Sequence, residues 1–544
     1  MLSRRLAALA AAAALCLAVP SSRAWSAAAE PETFPESGKA SPSPVAGGPV
    51  MNRGDLGWRG TTLQTRMAPP DPHVAAGPEH VVLITNEQIS FYTKAGKQTF
   101  RQNIKGSNGF WGNLGAIPKL FDPEVHWDPW AKRFLAFANG RSSSINNGRS
   151  YFMLAVSDDT NPNGKWHLFR FDVTALASVN NGGAGDIDSP NLGLDKNVLY
   201  MTADFQFGGA GARHLIYMVE KQPLLSGKQP TKVRSMLRMG TRFWGVPVVW
   251  GPAPAMYLVE QLAPFNGSSN KLRLHAITSP LTTPKLTSFD LTVPTYRWPA
   301  GVYAKGSRVR VSPGNSRIWS CVWRNGFLWC CHHVGSPIVK SRWYQIATLA
   351  WPAAGSPKLL QQGTVDMGSG IHTFYNAIHV DAQNNALMVF SMASTNSYIS
   401  IGRTWRKATD PPGTMRPPRI VQANTAPYSI FRWGDYASVS PDPVEPNTMW
   451  YVHEYAATQN VWTTWIGRKV TAPLAAYPRT ISVAGGSIGL YLDNPSHKLK
   501  PYVILMSATG TSPGFPLGTV QVPLNVDALT LLALPLVNTP AFQG

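Results

Sequence analysis

The sequence predicts an all-β protein, a seven-bladed β-propeller followed by a small C-terminal β-rich segment. Three observations lead there. The composition pairs 47 Gly and 46 Pro with 19 Trp, 17 Tyr and 21 Phe, which favours short strands and tight turns over long helices. One pattern returns seven times along the chain, with no helical crossovers of the kind a parallel sheet needs. At 544 residues, 44% hydrophobic and 14% charged, the chain can bury more core than one ordinary domain holds.

Residues 1–25 read as a signal peptide. Arg4 and Arg5 precede an apolar run to Val19 and small residues around Ala24, the order that export and cleavage require. The mature protein is therefore expected outside the cytoplasm, secreted or periplasmic. Cys16 follows Leu15 where lipid attachment would want a small residue. No later apolar run reaches the roughly 18 residues of a membrane span, and "LTLLALPLVNTPAF" is cut by Pro535 and Pro540, so no transmembrane span is expected. Residues 26–65 form a Pro/Ser/Ala-rich linker and lead-in.

The repeats fill residues 66–472. Each copy has a polar or acidic lead, a short alternating strand, a turn with Pro, Asp or Gly, and a second strand rich in aromatics. The copies begin at Asp71 ("DPHVAAGPEHVVLITNEQISFY"), Asp122 ("DPEVHWDPWAKRFLAFAN"), Asp186 ("DIDSPNLGLDKNVLYMTADF") and Phe243 ("FWGVPVVWGPAPAMYLVEQ"). The last three begin at Ser307 ("SRVRVSPGNSRIWSCVW"), Tyr375 ("YNAIHVDAQNNALMVFSMAS") and Asp435 ("DYASVSPDPVEPNTMWYVHEY"). Their starts lie 51 to 68 residues apart, room for four short strands each. Third strands are visible in "SYFMLAVS", "HLIYMVE", "LRLHAIT" and "RWYQIATLAW", and a fourth in "KWHLFRFDV". Such units close most simply into a propeller; two packed β-sandwiches are the competing architecture.

Cysteine usage adds one local expectation. Cys321, Cys330 and Cys331 all fall in "IWSCVWRNGFLWCCHHV", where Asn325-Gly326 marks a two-residue hairpin turn. Counting outward pairs Arg324 with Phe327 and Cys321 with Cys330, the latter a non-hydrogen-bonded pair where side chains approach closest. A Cys321–Cys330 disulfide is expected in an exported protein, with Cys331 left over on the opposite face. A metal site built from Cys330, Cys331, His332 and His333 is disfavoured, because adjacent strand residues point apart.

Several stretches carry a family resemblance: "PPDPHVAAGPEHVV", "DPEVHWDPWAKRFL", "AVSDDTNPNGKWHLFRFD", "DSPNLGLDKNVLYMTADF", "IHTFYNAIHVDAQNNALMVFSMAS" and "RWGDYASVSPDPVEPNTMWYVHEYAATQNVWTTWIGR". From Pro69 to about Arg468 the chain resembles a family of uncharacterised secreted bacterial β-propeller proteins, distantly sialidase-like. The resemblance implies an extracellular propeller and brings no established activity. In "TRFWGVPVVWGP" the chain departs from the pattern by being compact. Residues 473–544 alternate like several strands and resemble a small C-terminal β module of exported bacterial proteins, here expected to be incomplete.

In a propeller the innermost strands line a central channel, so residues leading into them gather at one mouth. Asp71, Asp122, Glu124, Asp186, Asp188, Arg432 and Asp435 hold that position, with Trp244, His372 and Tyr375 as the non-acidic counterparts. The formal charge is +20, so an acidic mouth is a local reversal of sign. Such acids can cap turns or bond the neighbouring blade's backbone. They can also hold calcium, with Asp122, Asp188 and Asp435 as ligands, or supply the two carboxyls of a glycosidase. A sialidase centre would need three convergent arginines, for which Arg242, Arg308 and Arg432 are the candidates. Trp433 and Tyr436 are the expected sugar-stacking platforms.

Lys and Arg are scattered singly, with no RNA-binding or zinc signature, so no nucleic-acid partner is expected. The expected function is a binding or recognition module for an extracellular polymer, a polysaccharide or glycoconjugate, acting as a monomer. The alternatives are a sialidase-like or other glycoside hydrolase and a cell-surface interaction scaffold.

Overall fold

In the computed structural model the chain divides into two compact units, residues 1–471 and 472–544. The structure describes residues 55–63, 68–115, 117–142, 148–177, 186–206, 213–239 and 244–471, and a few short paired strands outside these ranges. The signal peptide and the rest of the linker lie outside the described residues.

The larger unit is built of four-stranded antiparallel meanders. Only the strands nearest the axis and those of the closing meander are labelled here. β1 is Asp55–Thr62, β2 His73–Ala76, β3 Lys119–Asp128, β4 Asp186–Leu194, β5 Val248–Trp250 and β6 Ser320–Arg324. β7 is His372–Val380, β8 Ser438–Pro441, β9 Thr448–Thr458 and β10 Val461–Val470. β2, β3, β4, β6 and β7 each open a meander that runs outward strand by strand, while another runs from Trp244–Gly245 to Lys285–Arg297 beside β5. The remaining meander is β8, β9 and β10, completed by β1 from the other end of the chain.

Around the axis, β2 packs on β3 and β3 on β4. β5 pairs in parallel with β4 through Leu194 and Val248, and with β6 through Val248 and Val322. β6 packs on β7, β7 on β8, and β8 back on β2. At that last seam Ser438 Oγ and Ser440 Oγ accept the Val74 and Ala76 N–H groups at 2.6 and 3.0 Å. The result is a β-propeller.

Apolar cores lie between successive meanders. Val82, Ile84 and Phe91 of the β2 meander pack with Val125, Phe134 and Met153 of the next. Each meander is therefore covered on both faces, and strands such as Ser150–Ser157 and Ala386–Ser394 are buried along their whole length. That is why they read as continuous apolar runs rather than clean alternations. At the closing seam Trp58 of β1 packs edge-on to Trp450 at 5.5 Å and against Tyr92 at 5.8 Å, among Val74, Leu83, Val452 and Ile466. Within the segment read as linker and lead-in, Asp55–Thr62 is thus the fourth strand of the last meander, with Val50–Asn52 paired outside it.

Two expectations are corrected. The copy placed at Ser307 has its inner strand at Ser320–Arg324, one strand later. Residues between Val302 and Ser312 instead make loop bridges, Val302 to Val311 and Ser312 to Arg432. The hairpin itself forms as expected, with Asn325 and Gly326 at φ of 52° and 84° and Cys321 opposite Cys330. No disulfide joins them, however: all three cysteines are free. Cys330 is buried in the core between blades, Cys321 packs against the same cluster, and Cys331 turns away to Asn376 O. Burial pushes all three thiols up, so they stay protonated.

In the smaller unit, Leu474–Tyr477 pairs with Gly489–Leu492 and Phe515–Leu517 with Val520–Val522, both antiparallel.

Trp58→Ala removes one of the two tryptophans of the closing seam. It is expected to destabilise the propeller by about 3 to 5 kcal/mol, read as a lowered urea midpoint; an unchanged midpoint would show that the ring closes without β1.

Candidate functional site

The inner strands share a device at one end. β3 is bulged between Phe121 and Glu124, β4 between Asp188 and Asn191, and β7 between Phe374 and Ala377. Each bulge holds one left-handed residue, Asp122 at φ 51°, Ser189 at 52° and Tyr375 at 46°; Asp71, just ahead of β2, sits at 49°. Non-glycine residues pay on the order of 1 to 3 kcal/mol for such backbone. Pro follows Asp71, Asp122 and Ser189, which restricts them further. The bulge re-aims the side chain, and the carboxylates it redirects bond to one another's surroundings.

Asp71 Oδ1 accepts the Asp435 N–H at 3.0 Å and Oδ2 the Asn86 amide at 2.6 Å. Asn86 Oδ1 in turn accepts the Asp122 N–H at 2.8 Å. Asp122 Oδ2 and Asp188 Oδ1 both face the Ser189 N–H, at 3.2 and 2.9 Å. The network runs from the closing meander through the first and second to the third. Asp71 and Asp122 also hydrogen-bond each other, which requires a proton between them. Burial raises Asp71 against the pull of Arg432. Burial raises Asp122 further, with the charges of Asp71, Asp188 and Asp435 adding to it.

Above these buried acids lies a half-open layer. The Asp435 side chain is 17% exposed and pairs with Arg432, which is 50% exposed. Tyr375 Oη approaches Asp435 Oδ1 at 3.4 Å and Ser312 O at 3.1 Å. Burial and the Asp71 charge push the Asp435 carboxyl up to about 7, although Arg432 and Arg317 pull it down. Arg317 lies over Trp319 at 4.8 Å, and Trp319 meets Tyr375 edge-on at 5.1 Å. Arg317, Trp319 and the exposed Phe431 were not singled out in the sequence; Arg317 and Trp319 fall in the copy begun at Ser307, just ahead of its true inner strand.

"WGDY" divides its labour. Trp433 is fully buried, donates to Ser391 Oγ at 2.9 Å and packs on Tyr428; it is core, not a sugar platform. Gly434 donates its N–H to Glu454 Oε1 at 2.5 Å, and a Cβ there would strike that oxygen. Burial raises the Glu454 carboxyl well above the usual range. Asp435 faces the mouth, while Tyr436 is buried along the channel and donates to Pro190 O at 3.2 Å. It too presents no open ring face.

Asp71, Asp122, Asp188, Tyr375, Arg432 and Asp435 are thus brought together. His372 is not: its Nδ1 accepts the Val339 N–H at 3.2 Å, away from the acids. The side chains of Asp186 and Trp244, and Arg242 altogether, lie outside the described residues. Arg308 sits on an exposed loop, and the arginine that joins Arg432 near Asp435 is Arg317. The proposed calcium ligands Asp122, Asp188 and Asp435 do converge, and Asp435 is already paired with Arg432. Glu124 leaves the ring and faces the channel below with His73 and His126. The histidines' signal was the period of two: His73 follows Asp71 by two residues, Glu124 and His126 follow Asp122 by two and four.

No protein-family model matches the chain, and no curated protein matches it. Among solved structures it is similar to the GH93 α-L-arabinofuranosidase of Fusarium graminearum in complex with arabinobiose, at 12% identity and TM-score 0.35, covering 61% of this chain and 92% of that one. It is also similar to Trypanosoma rangeli sialidase, at 10% identity and TM-score 0.34, covering 70% and 56%. A subtype N10 neuraminidase-like protein from a little yellow-shouldered bat virus follows at 9% and 0.31, covering 64% and 96%.

Two tests follow. Asp435, held near 7 against an unfolded value of 3.8, contributes stability that is present below pH 4 and lost as pH rises to 7. Buried histidines such as His332 and His333, held down to about 3, run the other way, so the Asp435 contribution is read as a difference. Wild-type stability relative to Asp435→Asn is expected to fall between pH 4 and 7; a constant difference would mean an ordinary carboxyl. Gly434→Ala is expected to cost about 1 to 3 kcal/mol by overpacking against Glu454, and a thermal midpoint equal to wild type would contradict the contact.

Proposed function

We propose that this protein is a secreted seven-bladed propeller, of the bacterial family its motifs resemble, that hydrolyses an extracellular glycan bearing an acidic group at the channel mouth. The observation that carries the reading is Asp435. It is a part-open carboxyl held near neutral pH, with Arg432 and Arg317 close enough to perturb it and a second part-exposed carboxylate, Asp188, facing the same network. A group with that pKa gives up and regains a proton efficiently at neutral pH. In this reading Asp435 protonates the glycosidic oxygen as the C–O bond breaks, and Asp188 takes the proton of the attacking water. The two arginines hold the substrate's carboxylate, and Phe431 offers the exposed ring face for a sugar.

A second reading is binding without turnover. It is favoured by the hydrogen bonds of Asp71, Asp122 and Glu124, each to a backbone N–H of another meander: these acids have a structural task already.

The deciding experiment presents the chain with a panel of acidic and neutral polysaccharides and measures reducing ends and heat together. Hydrolysis predicts steady release of reducing ends from an acidic member, reduced about 100-fold or more by Asp435→Asn with the thermal midpoint not lowered. Saturating heat with no released ends would select the binding reading, and turnover untouched in Asp435→Asn would remove Asp435 from the mechanism.

A further inference from the structure

Below the acidic mouth the channel closes to a cavity of about 60 Å³, far under the 300 Å³ and upward of ordinary small-molecule pockets. It suits an ion or water, not a sugar. Among its lining residues are His73 of β2 and Glu124 and His126 of β3. Their ligand atoms all lie within 4.8 Å of one another.

The local hydrogen bonds orient this trio. His73 Nδ1 lies 2.9 Å from Val125 O and 3.4 Å from Val125 N; the shorter contact makes Nδ1 the donor and leaves the Nε2 lone pair unprotonated. A ring N–H given to a backbone carbonyl is the arrangement that typically orients a metal-ligating histidine. His126 Nε2 stands 2.8 Å from Glu124 Oε2, which also accepts the Leu192 N–H at 2.9 Å. Glu124 is thereby held from two sides through one oxygen, and Oε1 takes neither bond. The two imidazoles meet edge to face, with centroids 4.7 Å apart.

We propose that His73, Glu124 and His126 form a binding site for a divalent first-row transition ion of the zinc class. Two imidazoles and one carboxylate are the donor set such ions prefer, whereas calcium and magnesium favour all-oxygen shells. Three protein ligands leave a coordination position facing the cavity. The site is separate from the mouth and stands whether or not the glycan reading does.

The test uses the full chain, stripped with chelator and dialysed, then titrated with zinc chloride and with cobalt chloride. One equivalent of zinc is expected to bind and to raise the thermal midpoint, and cobalt is expected to develop visible absorption bands in the same stoichiometry. His73→Gln and His126→Gln are each expected to weaken zinc at least 10-fold. Should either variant fold poorly, Glu124→Gln serves instead, since its amide oxygen still accepts the Leu192 N–H while the charge is lost. Saturable binding that is unchanged in these variants would place the ion elsewhere. A wild-type chain that binds neither ion below about 100 μM would overturn the site.

Discussion

The structure depends on inner-strand acids that accept backbone N–H groups across the seams between meanders. Asp71 takes the N–H of Asp435, Asp122 that of Ser189, and Glu124 that of Leu192. A bulge breaks the ladder at Ser189, and Asp122 of the preceding meander accepts the N–H left there, while Asp71 meets the Asp435 N–H just ahead of β8. Left unmet, each buried donor would cost about 1 to 3 kcal/mol. The same bonds hold the left-handed backbone of Asp71 and Asp122 in place, so strain and satisfaction are two sides of one arrangement.

Collecting acids around an axis has an electrostatic consequence. Burial and mutual repulsion push the Asp71, Asp122 and Asp435 carboxyls up. Asp435, at the boundary with solvent, is left near 7 by burial and the Asp71 charge working against the two arginines. In a chain of formal charge +20 the mouth is acidic at its base and basic at its rim.

"WGDY" shows how one short stretch serves several levels. Trp433 anchors the loop in the core, Gly434 admits Glu454, Asp435 reaches the mouth and Tyr436 seals the channel on Pro190. Each role depends on a different neighbour from a distant part of the chain: Ser391, Glu454, Asp71 and Pro190.

Periodicity, turn chemistry and repetition are local properties, and they were legible: the strands, the Asn325-Gly326 hairpin with its register, and the convergence of Asp71, Asp122, Asp188, Tyr375 and Asp435 followed from them. Closure by β1 was not, because a strand that pairs across some four hundred residues leaves no local mark. Nor could composition separate Trp433, wholly buried, from Phe431, exposed two residues earlier, since burial is set by what packs from other meanders. Free thiols at Cys321 and Cys330 likewise reflect core packing rather than register. The residue types and their order determine that acids and histidines lead into the inner strands; the bulges and seams of the folded ring decide which of them meet, which share a proton and which face solvent.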